Sequence, residues 1–171
     1  MVEGPIPMLT ELFTYQYRPF GYSQNAADGG FKVAFFRNCR LVYTTFNRMQ
    51  SVMAVNTFLI TPEILGQYMM ILDAECWWLN RQPLNIGGGG KVGYTAMLGV
   101  IGHPMFSVDD LELVAHDSPF GDERGMLARR MCLLLENVSE LLIPCGLYIT
   151  PHSFMWDSRV TGPLPNDQMA M

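Results

Sequence analysis

Apolar and polar residues follow one another along this chain in two periods, and the shorter one comes first. From Leu9 to Tyr17, Phe13, Tyr15 and Tyr17 fall on one side and Leu12, Thr14 and Gln16 on the other. That is the period of two that points successive side chains to opposite faces of a strand. Pro19 and Gly21 are expected to end this strand. Ser23–Gly30 reads as a polar loop, with turn chemistry supplied by Asp28-Gly29-Gly30. Phe31–Phe36 and Arg40–Phe46 read as a second and a third strand around a turn at Arg37-Asn38, the third rich in β-branched and aromatic residues. Val52–Ile60 is a candidate fourth strand, although Met53 and Ala54 are weaker strand formers.

The period then lengthens. Thr61-Pro62-Glu63 has the form of a helix start. The threonine hydroxyl can cap an orphan amide, proline fits the first helical position, and a glutamate suits the positive end of the helix dipole. Ile64, Leu65, Tyr68, Met69, Ile71, Leu72, Glu75 and Cys76 keep helical spacing, so the helix is expected to run to about Trp78 with most of that face in the core. Arg81–Gly90 reads as a loop, Val92–Ile101 as an alternating strand, Gly102-His103-Pro104 as a turn and Leu111–His116 as a short strand. After a link over Asp117–Gly125, Met126–Leu142 carries a helical stripe of Leu127, Met131, Leu134, Leu135, Val138, Leu141 and Leu142, closed by Pro144 and Gly146. Leu147–Thr150 is a candidate last strand. Residues 1–8 read as a loose lead-in, and the proline-containing stretch 151–171 is expected to pack as far as Trp156 and then fray.

The order β-β-β-(β)-α-β-β-α groups its strands in antiparallel runs instead of alternating them with helices. It predicts an α+β fold in which a β-meander and a β-hairpin form one sheet with two main helices. At 171 residues, with no repeat and no shift in composition, the chain reads as a single domain.

Composition narrows the function classes. Eleven Lys and Arg stand against sixteen Asp and Glu, a net charge of −5, too acidic for a general nucleic-acid binder. Charged residues make up 16%, against about 25% in ordinary soluble domains. Hydrophobic residues make up 49%, too many for intrinsic disorder. No apolar run approaches the 18 or so residues of a membrane span. Met1–Tyr17 contains no cation and is interrupted by Pro5 and Pro7, unlike a secretory signal, so a cytoplasmic setting is expected.

No complete catalytic motif is present. Gly87–Gly90 followed by Lys91 lacks the spacing and the Ser or Thr of a phosphate-binding loop, and it leads into a strand. The bland reading is a flexible connection; the functional remainder is an anion nest of amides beside Lys91. Cys39, Cys76, Cys132 and Cys145 match no zinc or redox spacing and read as small hydrophobes. His103, His116 and His152 show no metal-ligand spacing. Asp109-Asp110-Leu111-Glu112 reads as an acidic turn. No cofactor and no metal are expected. Trp77-Trp78 ends the first helix; consecutive helical positions lie about 100° apart, which would send one ring inward and one outward, although both could also lie under the neighbouring loop. The thirteen methionines, Met69, Met70, Met126 and Met131 among them, read chiefly as core filling, with adaptable binding surface as the alternative.

The layout resembles that of small uncharacterised α+β proteins of gut Firmicutes. The strand ending in Tyr15-Gln16-Tyr17, the Thr61-Pro62-Glu63-Ile64-Leu65 helix start and the Trp77-Trp78 helix end carry the resemblance. It also looks somewhat like that of bacterial secretion chaperones, which are small, acidic dimers. Neither likeness brings a functional residue with it.

Two functions are therefore expected. The first is a non-catalytic binding or interaction module that forms a homodimer, because low charge density leaves apolar surface for a partner to cover. The second is a small-molecule binder or enzyme with a pocket on the sheet face near Tyr43, Trp78, Arg81, Tyr94 and His116.

Overall fold

The structure, a computed structural model, describes residues 11–20, 29–80, 85–86, 93–119 and 121–165. The Asp28 end of the first loop, Arg81, the Gly87–Lys91 segment, the lead-in and the last six residues lie outside them.

The fold is α+β. Strands β1 (Glu11–Phe20), β2 (Phe31–Phe36), β3 (Arg40–Phe46) and β4 (Val52–Leu59) form an antiparallel meander. Strands β5 (Asn85–Ile86), β6 (Gly93–Val100) and β7 (Phe106–Asp109) extend the sheet on the other side of β1, giving the order β4-β3-β2-β1-β6-β7-β5. Every pairing in it is antiparallel except β5 with β7. Helices α1 (Pro62–Leu79), α2 (Leu111–Asp117) and α3 (Glu123–Leu142) follow β4 and β7, and a separate hairpin of β8 (Leu147–Ile149) and β9 (Phe154–Trp156) follows α3.

Alternation puts Phe13, Tyr15, Phe31, Val33, Phe35, Leu41, Phe58, Ala96, Leu98, Phe106 and Val108 on one face, and all of them are buried. The helices and the β8–β9 hairpin pack on that face. Tyr68 of α1 sets its ring edge-on to Phe13 and Phe35, at 5.6 and 5.7 Å, and its hydroxyl donates to Leu12 O at 2.9 Å. Rings so arranged add about 0.5–1.5 kcal/mol per pair beyond the area they bury. From α3, Leu127, Met131, Leu134, Leu135, Val138 and Leu142 join the same core. Glu75 is the one charged side chain buried among the described residues. It accepts from Trp78 Nε1, and Arg130 of α3 lies 3.9 Å from it, so a buried carboxylate ties α1 to α3.

The helix start forms as expected: Thr61 Oγ1 accepts from Ile64 N at 3.2 Å, with Pro62 in the first turn. The two-residue β5 forms inside the stretch expected as a loop, and α3 begins three residues earlier than expected, at Glu123. Four further features differ from the expectation. First, β1 runs through Pro19 to Phe20. Pairing with β2 stops at Tyr17↔Phe31 while pairing with β6 continues, so Pro19 sits on a locally free edge where a missing N–H costs little. Second, the hairpin partner of β6 is Phe106–Asp109, and Leu111–His116, expected as a strand, is helical. Asp110 causes the change: it takes a left-handed conformation, and the chain turns there into α2. Third, residues beyond Trp156 stay attached. Asp157 N donates to Gly146 O at 2.8 Å, and Leu164 N donates to Thr57 O at 2.6 Å on the edge of β4. Fourth, Met69, Met70 and Cys76 of α1 are exposed, because the buried stripe runs through Ile64, Tyr68, Leu72, Glu75 and Trp78 instead. Met131 is fully buried, as core filling requires.

No helix among the described residues is long and apolar enough to cross a membrane.

Candidate functional site

The site is built around Tyr94 on β6. Its carbonyl accepts from Asp110 N at 2.7 Å, and its amide donates to Asp110 Oδ1 at 3.2 Å. The Asp110 carboxylate reaches that amide because residue 93 is glycine: a Cβ there would lie 2.0 Å from Asp110 Oδ1. The Tyr94 hydroxyl donates to Glu112 Oε1 and accepts from Glu112 N, both at 3.3 Å. Main chain and side chain of one tyrosine thus hold the first turn of α2 against the sheet. At the other end of α2, Arg129 Nη1 of α3 donates to Ala115 O at 3.0 Å. Gly125 lets the link between the two helices pass closely, since a Cβ on it would meet Ser118 Cβ at 2.4 Å.

His152 completes the cluster from the turn between β8 and β9. Its Nε2 is hydrogen-bonded to Glu112 Oε1, and its ring packs edge-on to Tyr17 and Tyr94, with centroids 5.7 and 4.7 Å away. Thr150 fixes this turn, its hydroxyl oxygen accepting from His152 N at 3.2 Å and Ser153 N at 3.0 Å. Tyr15, buried beneath, donates to Pro151 O at 2.9 Å. Burial, reinforced by Tyr94, Cys132 and Glu112, pushes the Tyr15 hydroxyl well above the usual phenol range. Burial likewise raises Tyr94, although the amide of Glu112 pulls it the other way. Both phenols therefore stay protonated, as donors to the turn and to the carboxylate.

Between these pieces lies a cavity of about 300 Å³, lined by Glu112, Cys132, Leu135, Glu136, Ser139, Glu140, Ile149, Thr150 and Pro151. Positions 132, 135, 136, 139 and 140 share one face of α3, because residues three and four apart are neighbours on a helix. Leu135 and Ile149 are buried and supply an apolar floor, while Glu112, Glu136 and Glu140 are exposed. Burial, together with Glu112 and Glu136, pushes the Cys132 thiol up to about 11. A thiol raised in this way is protonated at pH 7, which disfavours nucleophilic attack by this sulfur.

Of the five residues expected at a sheet-face pocket, Tyr94 alone is placed beside this cavity, and it acts by holding Glu112. Tyr43 is stacked among Phe31, Phe154 and Trp156. Trp78 is fully buried against Phe106 and offers no surface to a ligand, whereas Trp77 is half-exposed beneath Arg130, 5.0 Å from its ring. His116 is exposed in the last turn of α2 and does not line the cavity. Arg81 lies outside the described residues. Sequence reasoning missed Cys132, Glu136, Glu140 and His152 as a group and took Glu112 for a turn carboxylate. The polar residues Glu136, Ser139 and Glu140, interleaved with the apolar stripe of the second long helix, were the available signal. The chain matches no family model and no curated protein.

The thiol environment is directly measurable. Alkylation of Cys132 by iodoacetamide, followed by mass spectrometry, is expected to lag behind that of the exposed Cys76 at pH 8. The Cys132 rate should climb about tenfold per pH unit and level off only near pH 11. A plateau for Cys132 below pH 9 would contradict the acidic surroundings described above.

Proposed function

We propose that this protein is a non-catalytic binding protein that holds a small organic ligand in the cavity between α2, α3 and the β8–β9 turn. One observation carries the reading: an apolar floor of Leu135, Ile149 and Pro151 meets a polar wall of Glu112, Ser139 and Thr150 around about 300 Å³. Small-molecule sites have this make-up, with apolar lining for affinity and a few placed polar groups for orientation, and this volume sits at the small end of their range. The protonated thiol and phenols favour holding a ligand over attacking one. Four free cysteines suit a reducing, cytoplasmic setting.

A second reading, self-association as a homodimer, is supported by the other face of the sheet. No described helix packs there, and at its β4 edge Val52, Val55 and Leu59 are 59, 41 and 49% exposed. On β3, Phe46 pairs in register with Val52, and Val42 pairs with Thr57, between Val55 and Leu59. Apolar surface collected at one edge is what a partner copy would cover. The irregularity at Val52–Ala54, where Met53 is the extra residue, and the bond from Leu164 both obstruct strand-to-strand pairing. The dimer contact in this reading is therefore made by side chains on the face.

A thermal-shift screen of small metabolites on the wild type and on Ser139→Phe tests the first reading. Ligands that raise the wild-type midpoint should lose that effect in the variant, whose ring is expected to occupy the cavity, with circular dichroism checking that the variant is folded. Hits that persist in Ser139→Phe would place binding elsewhere and sink the proposal. For the second reading, light scattering after size exclusion should give twice the chain mass for the wild type and the single mass for Val55→Lys; a monomeric wild type at 100 μM-scale loading rejects it.

A further inference from the structure

We infer that the ligand of this cavity is a small organic cation, with its ammonium group at the mouth among Glu112, Glu136 and Glu140 and a short apolar stem along Leu135, Ile149 and Pro151. The inference rests on the cavity being a ligand site; the cavity defines the place, and the charge of its lining selects the occupant.

All the charged residues that line the cavity are carboxylates. The cations on the same helix are engaged elsewhere. Arg124 pairs with Asp122 at 3.5 Å, Arg129 donates to Ala115 O, and Arg130 lies between Glu75 and the Trp77 ring. Glu136 and Glu140 form no ion pair and no side-chain hydrogen bond among the described residues. Glu112 is held on one oxygen, Oε1, by Tyr94 and His152, which leaves Oε2 for a ligand and fixes the carboxylate without neutralising the other two. The negative field reaches into the cavity, because Glu112 and Glu136 both raise the Cys132 thiol on its wall. An anion would enter against this field. A neutral stem of the same length would gain the contacts with Leu135 and Ile149 and nothing from the mouth. An ammonium group gains both, and its three donors can be shared among several carboxylates. The carboxylates are exposed, so each contact changes affinity by a few-fold only, and salt screens it.

Calorimetric titration of the full chain with three probes of matched stem, 1-aminopentane, 1-pentanol and pentanoate, separates the possibilities. The amine is expected to bind at one site at least about fivefold more tightly than the alcohol, and pentanoate more weakly than either. In the double variant Glu136→Gln, Glu140→Gln the amine should weaken about fivefold while the alcohol is unchanged. Circular dichroism and the melting midpoint, expected to be unaltered at these exposed positions, show that the variant is folded. Equal affinity for amine and alcohol, or tighter binding of pentanoate, would overturn the cation and leave the cavity standing as a ligand site. Amine affinity indifferent to the double variant would place the amine elsewhere and overturn the inference as well. Absence of heat with all three probes would overturn the cation and count against the cavity itself.

Discussion

The hydroxyl of Tyr94 and the carboxylate of Glu112 form the contact on which the candidate site depends. Two hydrogen bonds between these residues, and two more between the main chain of Tyr94 and Asp110, turn the end of β7 into α2 and press that short helix onto the sheet. A seven-residue helix has no stability of its own, since nucleation alone is unfavourable at that length. It persists because Tyr94 and Arg129 supply partners at both ends. Glu112 then reaches His152, and through it the turn between β8 and β9, so three elements distant in the chain meet at one carboxylate. Glu112 is half-exposed, so solvent screens the charge of this acceptor and its bond to Tyr94 contributes about 1 kcal/mol; the wall is fixed because Tyr94 and His152 meet at the same carboxylate oxygen.

The rest of the architecture explains why the cavity lies where it does. All three helices and the small hairpin are gathered on one face of the sheet, over a ladder of Phe13, Phe35 and Tyr68 and a second contact between Trp78 and Phe106. Helix α3 crosses this face with Leu134, Leu135 and Val138 inward. Its flank toward α2 and β8 is not filled, because α2 is short and the turn at Thr150–Ser153 holds the chain off. The cavity is the gap between a long helix and two small elements that cannot cover it. The opposite face carries the apolar edge of β4, so the two proposed functions occupy different sides of the sheet and do not exclude each other.

The meander, the first helix and its cap, the β6 alternation and the second long helix were legible in the chain because each is set by local period or local capping chemistry. Thr61 and Pro62 act on their own helix; Tyr94, Ala96, Leu98 and Val100 act on their own strand. The failures share a cause. Leu111–His116 alternates well enough for a strand, and what overrides it is a carboxylate at position 110 bound to an amide sixteen residues earlier. Pro19 breaks a strand in isolation but not where one neighbour has already left. Trp78 looked available as an aromatic contact, yet its inward side of the helix is decided by packing against Phe106. The site was the least legible part, because Glu112, Cys132 and His152 come from three elements whose meeting depends on that single tie.

A double-mutant cycle between Tyr94→Phe and Glu112→Ala, which removes the accepting carboxylate altogether, read by chemical denaturation, tests the central claim most directly. Each single variant should destabilise the protein, and the coupling between them should be at least about 1 kcal/mol, as for residues that share a hydrogen bond to a charge. Additive effects, with a coupling within about 0.3 kcal/mol of zero, would mean that the two side chains do not hold each other and that α2 and the cavity wall rest on something else.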